Sequence, residues 1–347
     1  MKKLLLCLAT LALAQANPIW ENEFLSPEFP EATSTDEEWA LVPDGDGDMH
    51  MVNLREELEA APFFNADQVI FRLFTRRNPT SGQVLTLNNA GSVSNSQFRT
   101  GHPTRFIIHG WNNNGGSPVN TNIRNAYINR GEFNVIVVDW GAGAQTANYV
   151  AARNNINIVG PRVAQMVDFL NTQGMGFGSV AVVGHSLGGH TAGIAGKRTS
   201  RGRLAAVVAL DPALPLFSID RPGERVAPTD ANYVEVIHTN AGLLGFDLPI
   251  GLADYYPNFG RSQPGCGTDL AGNCAHSRAW QFFAESINSG PGFVSRQCRN
   301  YNDILNQNCV SAGANRRMGG EPLTTAARGI YWNPTNANSP FARGNVV

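Results

Sequence analysis

The stretch that most limits how this chain can fold is Ser179–Gly196, SVAVVGHSLGGHTAGIAG. Four consecutive apolar residues, Val180–Val183, suit a short strand buried on both faces. Gly184-His185-Ser186-Leu187-Gly188 follows as a turn, and the small residues through Ile194 suit a closely packed helix. A strand, a sharp turn with serine at its apex and a helix make a nucleophile elbow. Gly184 and Gly188 flank Ser186 by two residues, where side chains would collide with the neighbouring strand and helix. Ser186 therefore projects its hydroxyl from the strand end. The five-residue pattern alone is weak; the strand-type run before it and the helix-permitting run after it carry the reading.

A serine hydroxyl is a poor nucleophile until an imidazole takes its proton, and the imidazole needs a carboxylate to orient it. In an α/β-hydrolase the order is Ser, then Asp or Glu, then His, so both partners must follow Ser186. Asp211 is the best acid, because it ends the apolar run Leu204–Leu210 and precedes Pro212. Asp230, Asp254 and Asp269 lie in less strand-like surroundings. Two histidines remain beyond Asp211, His238 at the end of Tyr233–His238 and His276 in Cys274-Ala275-His276-Ser277, and position alone does not separate them. An oxyanion needs two backbone N–H donors. Leu187, after the nucleophile, supplies one, and the strand and turn Phe106–Trp111 makes Trp111 the other. Asp139 precedes Ser186 and is assigned a structural role.

The rest of the chain reads as a frame for these residues. Met1–Ala16 has Lys2 and Lys3, an apolar run and a small-residue end, the pattern of a secretory signal peptide. Residues 17–62 read as an acidic leader or propeptide, with a short helix expected over Met49–Glu59. Asn17–Ala60 holds 13 acids against one base, whereas Ala61–Val347 carries eight more bases than acids. That basic body suits an anionic lipid interface, which the leader could mask. Asp44-Gly45-Asp46-Gly47-Asp48 imitates the start of a calcium loop but has Met49 and Arg55 at positions that need Gly and Glu. Four cysteines remain after the signal, and local pairing of Cys266 with Cys274 and Cys298 with Cys309 is expected in an exported protein. Strand-like runs recur at Val69–Phe74, Val84–Leu87, Arg105–His109, Phe133–Asp139, Leu204–Leu210, Tyr233–His238 and Gly329–Trp332. Helical spacing over Thr146–Thr172 is interrupted at Gly160-Pro161, and it returns over His276–Ile287. Apolar strands alternating with helices predict one α/β domain over residues 63–347, with a largely parallel sheet covered on both faces. The bases are scattered, so no nucleic-acid module is expected.

FIIHGW, VVDWG, VGHSLGGH, ALDPALP, TDANYVEVIHTN, DYYPN and PGC followed by CAHSRAW occur in this order. Together they resemble the pancreatic-lipase family of secreted animal lipases and phospholipases, over about Gln68–Arg343. The resemblance implies an α/β-hydrolase fold, Ser186 as nucleophile, Asp211 as acid, His276 as base, and Trp111 and Leu187 as oxyanion donors, with no cofactor. It also implies that His238 is not catalytic. The family's C-terminal β-sandwich has no counterpart in this sequence, so no colipase partner is expected. Pro222 and Ala227 stand at two acidic positions of the family's calcium loop and leave Asp230, so no metal is expected. The lid corresponds to Cys266–Cys274 and encloses only seven residues, and the loop Asn240–Leu252 is also short. Both features resemble the phospholipase A1 branch. The expected function is a secreted lipid ester hydrolase acting at a membrane or droplet surface. A storage or lipid-binding role, as in yolk proteins resembling this family, is the competing class.

Overall fold

The computed structural model describes residues 38–44, 47–56 and 64–347. The signal peptide expected over 1–16, and much of the leader expected up to residue 62, lie outside the described residues.

The strand that the elbow needs is β7 (Val180–His185), and all six of its residues are buried. It lies between β5 (Thr104–Ile108) and β8 (Ala206–Leu210), parallel to both. The parallel sheet continues through β9 (Tyr233–Ile237), β10 (Ala253–Pro257) and β13 (Gly329–Asn333) on one side, and through β6 (Asn134–Asp139) on the other. Its rims are antiparallel. β3 (Ile70–Phe74) and β4 (Gln83–Leu85) follow β6, and β11 (Phe293–Gln297) and β12 (Arg316–Met318) follow β13. Among the described residues this makes one 11-stranded sheet in the order β12-β11-β13-β10-β9-β8-β7-β5-β6-β3-β4.

Successive strand residues point to opposite faces. Val182, Val207, Phe106 and Ile108 accordingly join one apolar cluster, and Val183, Val208 and Ile107 join another. The helices Tyr149–Thr172 and Leu187–Arg198 cover the first, through Ile156, Val163, Ala192 and Ile194. The helices Pro118–Arg130 and Asn273–Ser286 cover the second, through Ile123, Tyr127, Phe282 and Phe283. Two covered faces explain why these strands read as unbroken apolar runs. A mostly parallel sheet with its serine turn at the end of a central strand is the α/β-hydrolase architecture.

The break expected at Gly160-Pro161 does not occur, and Pro161 sits inside a continuous 24-residue helix. Proline removes one backbone hydrogen bond there. Packing offsets the loss: Val159, Val163, Met166, Val167 and Leu170 are buried, and Gly160 lets the helix press onto Ile194. The helix Pro118–Arg130 and strand β10 were not among the expected elements, although Ser117-Pro118 is a helix-start pair. The helix buries Asn120 beside Ile123 and Tyr127, and β10 buries the acid Asp254, so neither has a clean polar-apolar pattern.

The expected helix over Met49–Glu59 is also absent at its start. Met49–Asn53 is strand β2, antiparallel to β1 (Trp39–Pro43). Asp44 favours the hairpin because its Oδ1 accepts from the N–H groups of Gly47 and Asp48, each at 2.9 Å. Val42, Val52 and Leu54 then anchor it in the first apolar cluster.

Candidate active site

Ser186 follows β7 with φ 57° and ψ −125°, a conformation that side chains rarely adopt. Its N–H donates to Leu210 O at 3.0 Å, and its carbonyl accepts from Gly189 N at 2.9 Å. The flanking glycines permit this approach. A Cβ on Gly184 would lie 1.9 Å from Gly188 O, and one on Gly188 would lie 2.2 Å from Ile108 O.

Asp211 ends β8 at the same sheet edge, fully buried. A carboxylate only accepts hydrogen bonds. Its Oδ1 takes the N–H groups of Thr239 at 2.7 Å and Asn240 at 3.0 Å, and its Oδ2 takes Nδ1–H of His276 at 2.5 Å. This fixes the His276 tautomer and leaves Nε2 as the free imidazole nitrogen. His276 stands in the first turn of the helix Asn273–Ser286. Two devices hold that turn: the Cys266–Cys274 disulfide, and Asp269, which accepts the N–H groups of Cys274 and Ala275. Ser186 and His276 line one cavity together with Trp111 and His185. The second expected disulfide, Cys298–Cys309, is present as well.

The other sequence candidates are occupied elsewhere. His238 is fully buried, bonded to Phe246 O at 2.8 Å and Asp254 at 3.1 Å, and stacked on Tyr256. Asp139 lies near His109 and Arg72; burial pushes its carboxyl up, but hydrogen bonds from His109 and Gly141 hold it down at about 2. Asp230 pairs with the Lys197 ammonium and accepts Ala227 N. An ammonium already satisfies that carboxylate, so Asp230 does not fit a calcium site. The compact trio Cys266, Asp269 and Cys274 does not suit a metal either, because its two sulfurs are bonded to each other.

Leu187 is the first residue of the helix Leu187–Arg198, where an N–H has no intrahelical acceptor and the helix dipole favours negative charge. Trp111 is held in the turn after β5: its indole donates to Thr146 O at 2.9 Å and meets Tyr149 edge-on. Sequence reasoning passed over His185, whose only signal was its place beside the serine. Its Nε2 meets His276 O at 3.1 Å, and the two rings lie 4.5 Å apart. Burial, and then the neighbouring His276, push its pKa well below the ordinary imidazole value, which favours its neutral form.

A family model described as Lipase matches residues 47–341. The pancreatic triacylglycerol lipase of Myocastor coypus is 35% identical over 274 residues, which is 72% of this chain and 59% of that protein. Lipase member H-A of Xenopus laevis is 38% identical over 244 residues, 69% of this chain and 52% of that protein. The human inactive pancreatic lipase-related protein 1 is 36% identical over 262 residues, 69% of this chain and 56% of that protein. This chain spans a little over half the length of each of these relatives.

Proposed function

Because this chain belongs to the Lipase family, we propose that it is a serine hydrolase of lipid esters that works through an acyl-enzyme. The observation that carries the proposal is the buried Asp211–His276 hydrogen bond at the cavity holding Ser186. Family likeness alone does not suffice, since one similar protein is described as inactive. Ser186 Oγ attacks the ester carbonyl as His276 Nε2 takes its proton, and Asp211 stabilises the imidazolium that forms. The oxyanion receives the N–H groups of Leu187 and Trp111. His276 then protonates the departing alcohol, and a water activated by the same imidazole releases the fatty acid.

The sn-1 ester of a phospholipid is the preferred substrate class. Its support is the short disulfide loop, whose bridged cysteines are eight positions apart and leave little flap to close over the serine. Acylglycerols are the second reading. The signal-like N-terminus and the two disulfides support secretion. An alkyl phosphonate ester, which traps serine hydrolases as a tetrahedral adduct, tests the mechanism. One adduct on Ser186, located by mass spectrometry and absent in Ser186→Ala, is expected; a wild-type chain left unlabelled even with phosphatidylcholine vesicles present would favour the lipid-binding role instead.

A further inference from the structure

Both faces of the β1–β2 hairpin are largely apolar, His50 and Asn53 apart, although a surface ribbon normally presents polar residues to water. The pairing Ala40↔Val52 and Val42↔His50 defines the inner face. There Val42 and Val52 enter the core, and the His50 ring meets Trp111 edge-on at 5.3 Å. The pairs Trp39↔Asn53, Leu41↔Met51 and Pro43↔Met49 define the outer face. On it Trp39 is 53%, Leu41 46% and Met51 61% exposed.

This outer face runs into the site. Pro43, at its end, lines the cavity with Ser186 and His276, as does Asp44. The two described flanks of the turn are held beside the site: Asn273 Nδ2 donates to Gly47 O at 2.8 Å, and Asn112 Nδ2 donates to Asp44 Oδ2 at 3.2 Å. The cavity beside Ser186 is small, about 20 Å³, the room one water takes. Two further exposed leucines lie on segments that reach the same site, Leu270 in the Cys266–Cys274 loop and Leu243 in the turn beside Asp211. Five of the nine large apolar side chains exposed among the described residues are therefore on elements bordering the site, a concentration that points to a contact surface. Glu38, Asp44 and Asp48 accompany the hairpin and oppose an anionic surface, unlike the basic body as a whole.

We propose that the outer face of the hairpin, Trp39, Leu41 and Met51, is the surface with which this protein docks on a zwitterionic lipid interface, and that docking draws Asp44 and Gly47 off Asn112 and Asn273 to admit the ester. The inference rests on the lipid-ester reading. It gives the role of a cover to the hairpin, where the disulfide loop is too short to supply one. Anchoring by Val42 and Val52 keeps the ribbon attached while the two side-chain latches release.

The test reads docking apart from hydrolysis. The full chain carrying Ser186→Ala is sedimented with phosphatidylcholine vesicles, with and without Trp39→Ser, Leu41→Ser and Met51→Ser together. Losing three apolar anchors should weaken binding by more than about tenfold. In the Ser186 enzyme the same three changes should leave hydrolysis of a dissolved short-chain ester within about twofold, and Asn273→Ala should raise it at least about threefold by freeing Gly47. A polarity-sensitive dye on Met51→Cys should shift to the blue on adding vesicles, which reads the surface even where the triple change harms folding. Undiminished vesicle binding by the triple variant, or no dye shift, overturns the proposal. So does a parent dimer that the triple change converts to monomer, because the face would then pair two copies. Vesicle binding through this face without any esterase activity would refute the hydrolase reading and leave the docking surface standing.

Discussion

Asp211→Asn isolates the step on which the proposed chemistry depends. Asp211 Oδ1 already receives two backbone N–H groups, from Thr239 and Asn240. An asparagine must point its amide oxygen at that pair, since its NH2 there would face two buried donors left without acceptors. Its NH2 is then turned towards His276 Nδ1, where the carboxylate oxygen had accepted at 2.5 Å. The imidazole answers by presenting the Nδ1 lone pair and carrying its proton on Nε2, which can no longer take the proton of Ser186. The loss expected for a wrong tautomer is about 10⁴-fold in kcat, or ~5.5 kcal/mol in the barrier. The backbone should be spared, because Asp211 has φ 42° and asparagine is among the residues that tolerate positive φ. Initial rates on a dissolved ester, with thermal melts alongside, give the comparison. A folded Asp211→Asn protein within about tenfold of wild-type kcat would refute the reasoning. Asp254→Asn, at the buried His238 pair, is the control and should leave kcat of the folded protein within about threefold.

Burial lifts the Glu235 carboxyl to about 7 from the ordinary 4.5, against hydrogen bonds from Tyr233 and Gly319 that favour its charge. Its folded pKa exceeds the unfolded one, so the native state keeps a proton that the unfolded chain releases, and stability falls as pH rises between about 4.5 and 7. Denaturant melts of Glu235→Gln and wild type should therefore diverge in favour of the variant by about 3 kcal/mol between pH 4 and pH 8; parallel curves would contradict the burial argument. Gly184→Ala puts a Cβ against Gly188 O and should cost more than about 3 kcal/mol or abolish soluble protein, whereas an unchanged melting temperature would mean that the elbow relaxes freely. Replacing Cys266 and Cys274 with serine should lower stability by about 2–3 kcal/mol and reduce kcat, because the bridge ties the turn carrying His276; calorimetry and ester rates check both.

The elbow was legible because its local geometry dictates its residues: no side chain fits at Gly184 or Gly188, and an unbroken apolar run announces a strand buried on both faces. Asp211 was legible for a related reason, as the residue that ends the next such run. Spacing could not choose between His238 and His276. The choice depends on how the helix Asn273–Ser286 is brought over the end of β8, 65 residues away in sequence from the carboxylate it meets. Pro161 misled through a local rule that tertiary packing overrode, since the helix gains more by burying one face against Ile194 than it loses at one carbonyl. The hairpin was hidden by its surroundings. Acidic, proline-bearing flanks suggest a leader, and a ribbon largely apolar on both sides lacks the alternation by which strands are recognised.

Fatty-acid release from phosphatidylcholine vesicles and from a triacylglycerol emulsion, by the wild-type chain and by Ser186→Ala, tests the central claim most directly. Release by the wild type alone, faster from the vesicles and from the sn-1 position, is the expected result. Equal release by Ser186→Ala, or none by a folded wild-type protein on either substrate, would contradict an acyl-enzyme at Ser186.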